Sequence, residues 1–145
     1  MKKVLVNLAN ARYAQQLEVM KKSKNAGTCP FCPGHRPRTL KPIINQSQHW
    51  ELRKNCWPYE RTRLHLLLVS KMHAERLRDI PAQAWLELGD LFKWIERKFK
   101  IKSGVMALRF GDFRYNGATV AHLHWHIIVP DCRKTRKEKI KFNII

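Results

Sequence analysis

Three histidines at every second position, His122, His124 and His126, stand inside the apolar run Ala121-His122-Leu123-His124-Trp125-His126-Ile127-Ile128-Val129-Pro130. Side chains along a β-strand alternate between its two faces, so this spacing predicts one face of imidazoles and one of Leu123, Trp125 and Ile127. Imidazoles two residues apart on a strand lie about 6.5–7 Å from each other. At that separation they can act together on one phosphate, or divide their labour between a metal ion and a substrate.

A second chemical pattern lies upstream. Cys29-Pro30-Phe31-Cys32 places two thiols with two residues between them, half of a tetrahedral zinc site. The same spacing can serve a redox pair, although no strand leads into it and Pro33 blocks a following helix, or the cysteines can be plain structural thiols. Cys56 and Cys132 are isolated, so a zinc ion would need two histidines from among His35, His49, His65, His73 and the triplet. A catalytic three-histidine metal site using His122 and His124 is the rival geometry, and it leaves the cysteine pair without a role.

The elements that must position these groups are legible in outline. Residues 27–42 hold Gly27, Pro30, Pro33, Gly34, Pro37 and Pro42, which predicts a loop held by something other than backbone pairing. Ahead of it, from about Leu8 to Lys22, a thin stripe of Ala9, Tyr13, Leu17 and Met20 predicts a peripheral helix that Gly27 helps to end. Residues 50–60 predict a short strand and a turn at Trp57-Pro58. Arg63 to Ser70 predicts a buried strand interrupted by His65, which reads equally well as a core histidine, and His73 lies just past its end. From Pro81 to about Lys100, Trp85, Leu88, Phe92, Ile95 and Phe99 make a helical stripe, with Asp79 and Pro81 as start signals. Val105 to Phe110 predicts another strand, and Gly111-Asp112 and Asn116-Gly117 are turns into the histidine strand. The tail carries Arg133, Lys134, Arg136, Lys137, Lys139 and Lys141, and predicts a solvated loop with a final short strand from Ile140 to Ile145.

The 145 residues fit one domain with a core of its own. Lys and Arg number 29 against 11 Asp and Glu, a net charge of +18, which argues for polyanionic partners: nucleic acid, phosphate-rich nucleotides or an acidic membrane surface. Four unevenly spaced cysteines make no disulfide framework, so a reducing cytoplasm is expected. The apolar run Val4-Leu5-Val6 falls far short of a secretory core of about 7–15 residues. Nowhere do about 18 apolar residues run together, so no membrane span is expected.

As a set these motifs resemble the histidine triad (HIT) family of nucleotide hydrolases and transferases. The signature is His122-Leu123-His124-Trp125-His126-Ile127-Ile128, and the cysteine pair, the strand running from His65 to His73, the long helix and the glycine turn follow in the family's order over residues 29–130. The zinc-containing branch, with its diadenosine polyphosphate-cleaving and nucleoside monophosphate-transferring enzymes, is the nearer one. The resemblance implies an α+β fold, a mainly antiparallel sheet with one long packed helix, and a homodimer joined through both. It divides the chain into an N-terminal helical extension (1–26), the triad domain (27–132) and a basic tail (133–145).

By the same resemblance His124 is the nucleophile and His126 contacts or protonates phosphate oxygens, while His122 joins Cys29, Cys32 and His73 around a structural zinc. A neutral imidazole can attack an α-phosphate and hold the nucleotidyl group until water, phosphate or another acceptor arrives. Thr119 stands where the family places a hydroxyl on phosphate, and Ala118 departs from a frequent glutamine. Asn55, His65, Arg109 and Asn116 are the candidate nucleotide contacts. The expected substrate is a nucleotide or dinucleoside polyphosphate. The alternatives, motivated by the charge of +18, are a zinc-stapled nucleic-acid binder and an enzyme acting on adenylated polynucleotide ends.

Overall fold

The computed structural model describes residues 3–133 and 139–144. Its frame is a five-stranded, wholly antiparallel sheet built from β1 (Ile43–Gln46), β2 (Trp50–Lys54), β3 (Thr62–Ser70), β4 (Val105–Leu108) and β5 (His124–Pro130), in the order β1-β2-β3-β5-β4. Two helices accompany it, α1 (Ala14–Ala26) and α2 (Ala82–Lys98). The α+β architecture expected from the sequence is the one observed.

Register sorts the two faces. Leu52 pairs with Leu68, Leu66 with Ile127 and Leu68 with Trp125, so one face is apolar. On it Trp50, Leu52, Leu66 and Leu68 are completely buried against Ala84, Leu88, Leu91 and Ile95 of α2, with Trp85, Phe92 and Phe99 packed around them. The stripe read from spacing is therefore the stripe that meets the sheet. Trp50 Nε1 donates to the Ala84 carbonyl at 2.7 Å, which satisfies the one polar atom that the indole carries into this core. His49 Nδ1 lies 2.6 Å from Glu87 Oε1 and ties the β1–β2 turn to the helix. That contact takes His49 out of the pool of metal ligands.

The opposite face carries His65, His124 and His126, and a second cluster of Val6, Met20, Cys29 and Val120 packs outside the α2 core. Glu51, nearly buried on this face, lies 2.7 Å from Arg36 and 2.8 Å from Arg53, so an ion-paired network fastens the breaker-rich loop to the sheet. Both arginines hold the Glu51 carboxyl below its ordinary pKa against the opposing effect of burial. The loop ends where β1 begins at Ile43, a strand that the sequence reading did not single out.

Three readings are corrected. The N-terminal helix starts later, at Ala14 after a 3-10 turn at Leu8–Asn10, and runs on to Ala26, where Gly27 at φ 67° closes it. Its segment is anchored to the triad domain, since Val6 bridges Val120 and Ala121 N–H donates to the Leu5 carbonyl at 2.8 Å. Ile140–Ile144 form no strand, and residues 134–138 and Ile145 of the basic tail lie outside the described residues. Leu68→Ala should cost about 2–5 kcal/mol, because a fully buried branched side chain leaves a cavity between sheet and helix. Urea unfolding monitored by tryptophan fluorescence measures it.

Candidate active site and metal centre

The alternating histidines do not all belong to one strand. β5 begins at His124, and the chain bends through residues 120–122, where His122 N–H donates to the Val120 carbonyl at 3.0 Å. The antiparallel bridge from Val6 to Val120 holds the chain back at this point, so His122 turns out of the row. Leu123 keeps its expected place in the core.

His122 turns toward the cysteines. Its Nδ1 lies 3.3 Å from Cys29 Sγ and 3.7 Å from Cys32 Sγ, and Cys32 Sγ lies 3.3 Å from His73 Nδ1. The four donor atoms of Cys29, Cys32, His73 and His122 all fall within 4.8 Å of one another. With zinc–sulfur and zinc–nitrogen bonds of about 2.3 and 2.05 Å, a tetrahedron has sulfur-to-nitrogen edges of about 3.6 Å, which these distances match. The outer contacts fit as well. His122 Nε2 donates to the Ser70 carbonyl at 2.8 Å and His73 Nε2 faces Glu75 Oε1 at 3.1 Å, so each ring turns its Nδ1 lone pair inward. Burial pushes the Cys29 thiol up to about 12, a cost that a bound cation reverses.

His124 is left out of that cluster and has a defined tautomer. Its Nδ1 stands 2.6 Å from the His122 carbonyl oxygen, which can only accept, so the proton sits on Nδ1 and Nε2 keeps its lone pair. The ring borders a cavity of about 470 Å³. Burial lowers its pKa to about 4, opposed by the bond to His122, so the imidazole is neutral at neutral pH. Phe31 packs edge-on against it at 5.1 Å.

A chain of bonds fixes His126 in the other sense. Tyr59 N–H donates to His65 Nδ1 at 3.0 Å, so the neutral His65 carries its proton on Nε2, and this meets His126 Nδ1 at 2.9 Å. His126 must then keep its proton on Nε2, where Arg109 Nη1 approaches to 3.1 Å. Two donors thus face each other, and Arg109 Nε is buried without a partner among the described residues. An anion accepting from both would relieve the opposition. Burial, with neighbouring positive charges, lowers His126 well below the ordinary range and His65 to about 3.

The remaining candidates divide. Asn55, Arg109 and Thr119 line the cavity, whereas His65 lies behind His126 and does not. Asn55 Nδ2 reaches the His65 ring at 3.2 Å. The Thr119 hydroxyl donates to the Asn10 carbonyl at 3.3 Å. Asn116 does not join the site: its side chain bonds the Phe110 carbonyl and the Ala118 N–H, closing its own turn. Sequence reasoning missed Tyr59 and Arg12. Arg12 lies 4.1 Å over the Tyr59 ring, which in turn stacks on His126 at 5.9 Å, and no local pattern links positions so far apart in the chain.

Comparison with known proteins finds the HIT domain over residues 42–132, more than half of the chain. The chain belongs to the HIT family. Cys29 and Cys32 precede the matched span. A relative from Chlamydia trachomatis serovar D, described as an uncharacterized HIT-like protein, is 32% identical over 68 residues, 45% of this chain. The match spans 60% of that relative's length. Among solved structures, a hypothetical protein from Leishmania major superposes with a TM-score of 0.60 at 20% identity, covering 83% of this chain and 84% of that one. A zinc-bound histidine triad family protein from Mycobacterium smegmatis gives 0.54 at 22% identity, covering 81% and 82%. These likenesses establish the HIT fold. No helix among the described residues is long and apolar enough to cross a membrane.

The neutral buried histidines set a pH dependence. Between the unfolded pKa of about 6.5 and the folded value of about 3, His65 binds a proton only in the unfolded chain, so stability falls as pH drops through that window. Urea unfolding at pH 8 and pH 5 should differ by on the order of 1–2 kcal/mol for this group alone. His65→Asn should show a shallower slope.

Proposed function

We propose that this HIT protein cleaves nucleotides or dinucleoside polyphosphates at the α-phosphate through a covalent nucleotidyl-His124 intermediate. The observation that carries the reading is the bond from His124 Nδ1 to the His122 carbonyl, which leaves a neutral Nε2 lone pair directed from a buried ring beside an open cavity. In the first step Nε2 bonds to phosphorus, and the bridging P–O bond breaks with its electron pair departing on the leaving group. The Nε2–H of His126 and the Arg109 guanidinium hold the nonbridging oxygens as charge develops on them. Water or another acceptor then attacks phosphorus, and the P–N electron pair returns to His124.

Zinc bound by Cys29, Cys32, His73 and His122 has a structural role in this reading, because four protein ligands leave no open position for a substrate. It fastens the residue 27–42 loop, and with it Phe31, beside His124. A reducing cytoplasm suits a site that needs both cysteines as thiolates. The outer edge of the sheet supports a homodimer, since Val105 and Met106 of β4 are 60% and 53% exposed. A purely nucleic-acid-binding role leaves the tautomers of His124 and His126 without a use.

His124→Ala should abolish the acid-labile adduct formed with α-labelled ATP or diadenosine polyphosphate while the circular dichroism spectrum is unchanged. Retained labelling removes the assignment. Protein purified under reducing conditions should hold about one zinc per chain. Cys29→Ser should lose the ion and lower the melting temperature, and a metal-free wild type that is equally stable would refute the structural role.

A further inference from the structure

The cavity beside His124 is walled in part by residues from outside the matched family span. Arg12 comes from the N-terminal segment, and Lys139 and Lys141 from the C-terminal one. Among the described residues, these three with Arg61 and Arg109 face one acidic lining residue, Glu60. A cleft whose lining carries an excess of one sign of charge focuses the field on whatever enters.

Both flanking segments are held where they are by specific contacts. Arg12 donates to the Trp57 carbonyl at 2.6 Å and lies over Tyr59. Its guanidinium pKa is lowered chiefly by burial, with the charge of Arg109 acting in the same sense, as like charges on one cavity require. At the other end, Phe142 lies 3.7 Å from the Arg109 guanidinium carbon, and the Asn143 carbonyl accepts from Arg109 Nη2 at 2.6 Å. Gly117 makes room for this seat: a Cβ there would stand 2.5 Å from the Asn143 carbonyl oxygen. The tail is thus fitted to the edge of the cavity, which carries Lys139 and Lys141 to its wall while both stay exposed.

We propose that Arg12, Lys139 and Lys141 form a leaving-group subsite that holds phosphates beyond the α-phosphate, so that this chain prefers phosphoanhydrides over nucleotide conjugates whose leaving group is uncharged. The proposal rests on the reading of His124 as nucleophile. When the bridging P–O bond of a phosphoanhydride breaks, its electron pair leaves on a phosphate oxygen. That group departs as a multiply charged anion, which needs fixed cations and no proton. A conjugate with an uncharged amine makes no use of them. The phosphates held there can belong to a free polyphosphate chain or to the 5′ end of an adenylated oligonucleotide.

The test compares kcat/KM for diadenosine tetraphosphate, an adenylated oligonucleotide and an adenosine 5′-phosphoramidate of an uncharged alkylamine. Arg12→Gln and the double variant Lys139→Gln/Lys141→Gln should each lower the ratio of the phosphoanhydride to the phosphoramidate value by about tenfold, the scale of one charged contact made to the leaving group. The double variant alters only exposed side chains, so it decides the matter if Arg12→Gln loses its fold. The substrate, dinucleotide or oligonucleotide, on which the ratio falls further identifies the source of the phosphates. Equal losses on all three substrates, or none, overturn the subsite. Failure of wild-type protein to form an adduct with any of them overturns the His124 reading as well.

Discussion

The pairing of β3 with β5 is the constraint on which the rest of this structure depends. Val69 stands opposite His124 and Leu67 opposite His126, so the imidazoles share a face with the cavity while Trp125 and Ile127 share a face with α2. A shift of one residue would exchange the two sets, driving the histidines into an apolar core and the tryptophan into the site. The buried packing of Leu66, Leu68 and Ile127 against α2 opposes that slip. Core formation and site formation are therefore one event.

The same register sets the protonation pattern. His65 on β3 reaches His126 on β5, and the Tyr59 N–H behind it determines which nitrogen carries each proton. The result is two neighbouring histidines in opposite states, one presenting a lone pair and the other an N–H. Neither state requires an ionised side chain. Burial, which lowers the pKa of His124 and of His126, keeps both rings neutral, while Arg109 supplies the permanent charge.

A second fastening acts on the histidine face of the sheet. The loop of residues 27–42 has too many breakers to hold itself by backbone pairing, and it is secured at two points. Arg36 reaches Glu51, and Cys29 and Cys32 reach His73 and His122. The bend at residues 120–122 serves this arrangement by releasing His122 from the strand. One triad histidine thereby joins the cysteine cluster, and the other two line the cavity.

Much of this was legible locally. Period-two alternation named the face that His124 and His126 share, the three-and-four spacing named the helix stripe, and the cysteine pair with its breaker-rich loop announced a fastened segment. Those signals are short-range because backbone geometry dictates them. Where His122 leaves the strand, how Arg12 comes to lie over Tyr59, and why the Lys139–Asn143 segment seats on Arg109 beside Gly117 were decided only by the tertiary structure. Each depends on contacts between segments far apart in the chain, and their free energies, the stacking of guanidinium groups on aromatic rings and the burial of aromatic faces, exist only once the sheet has brought those segments together.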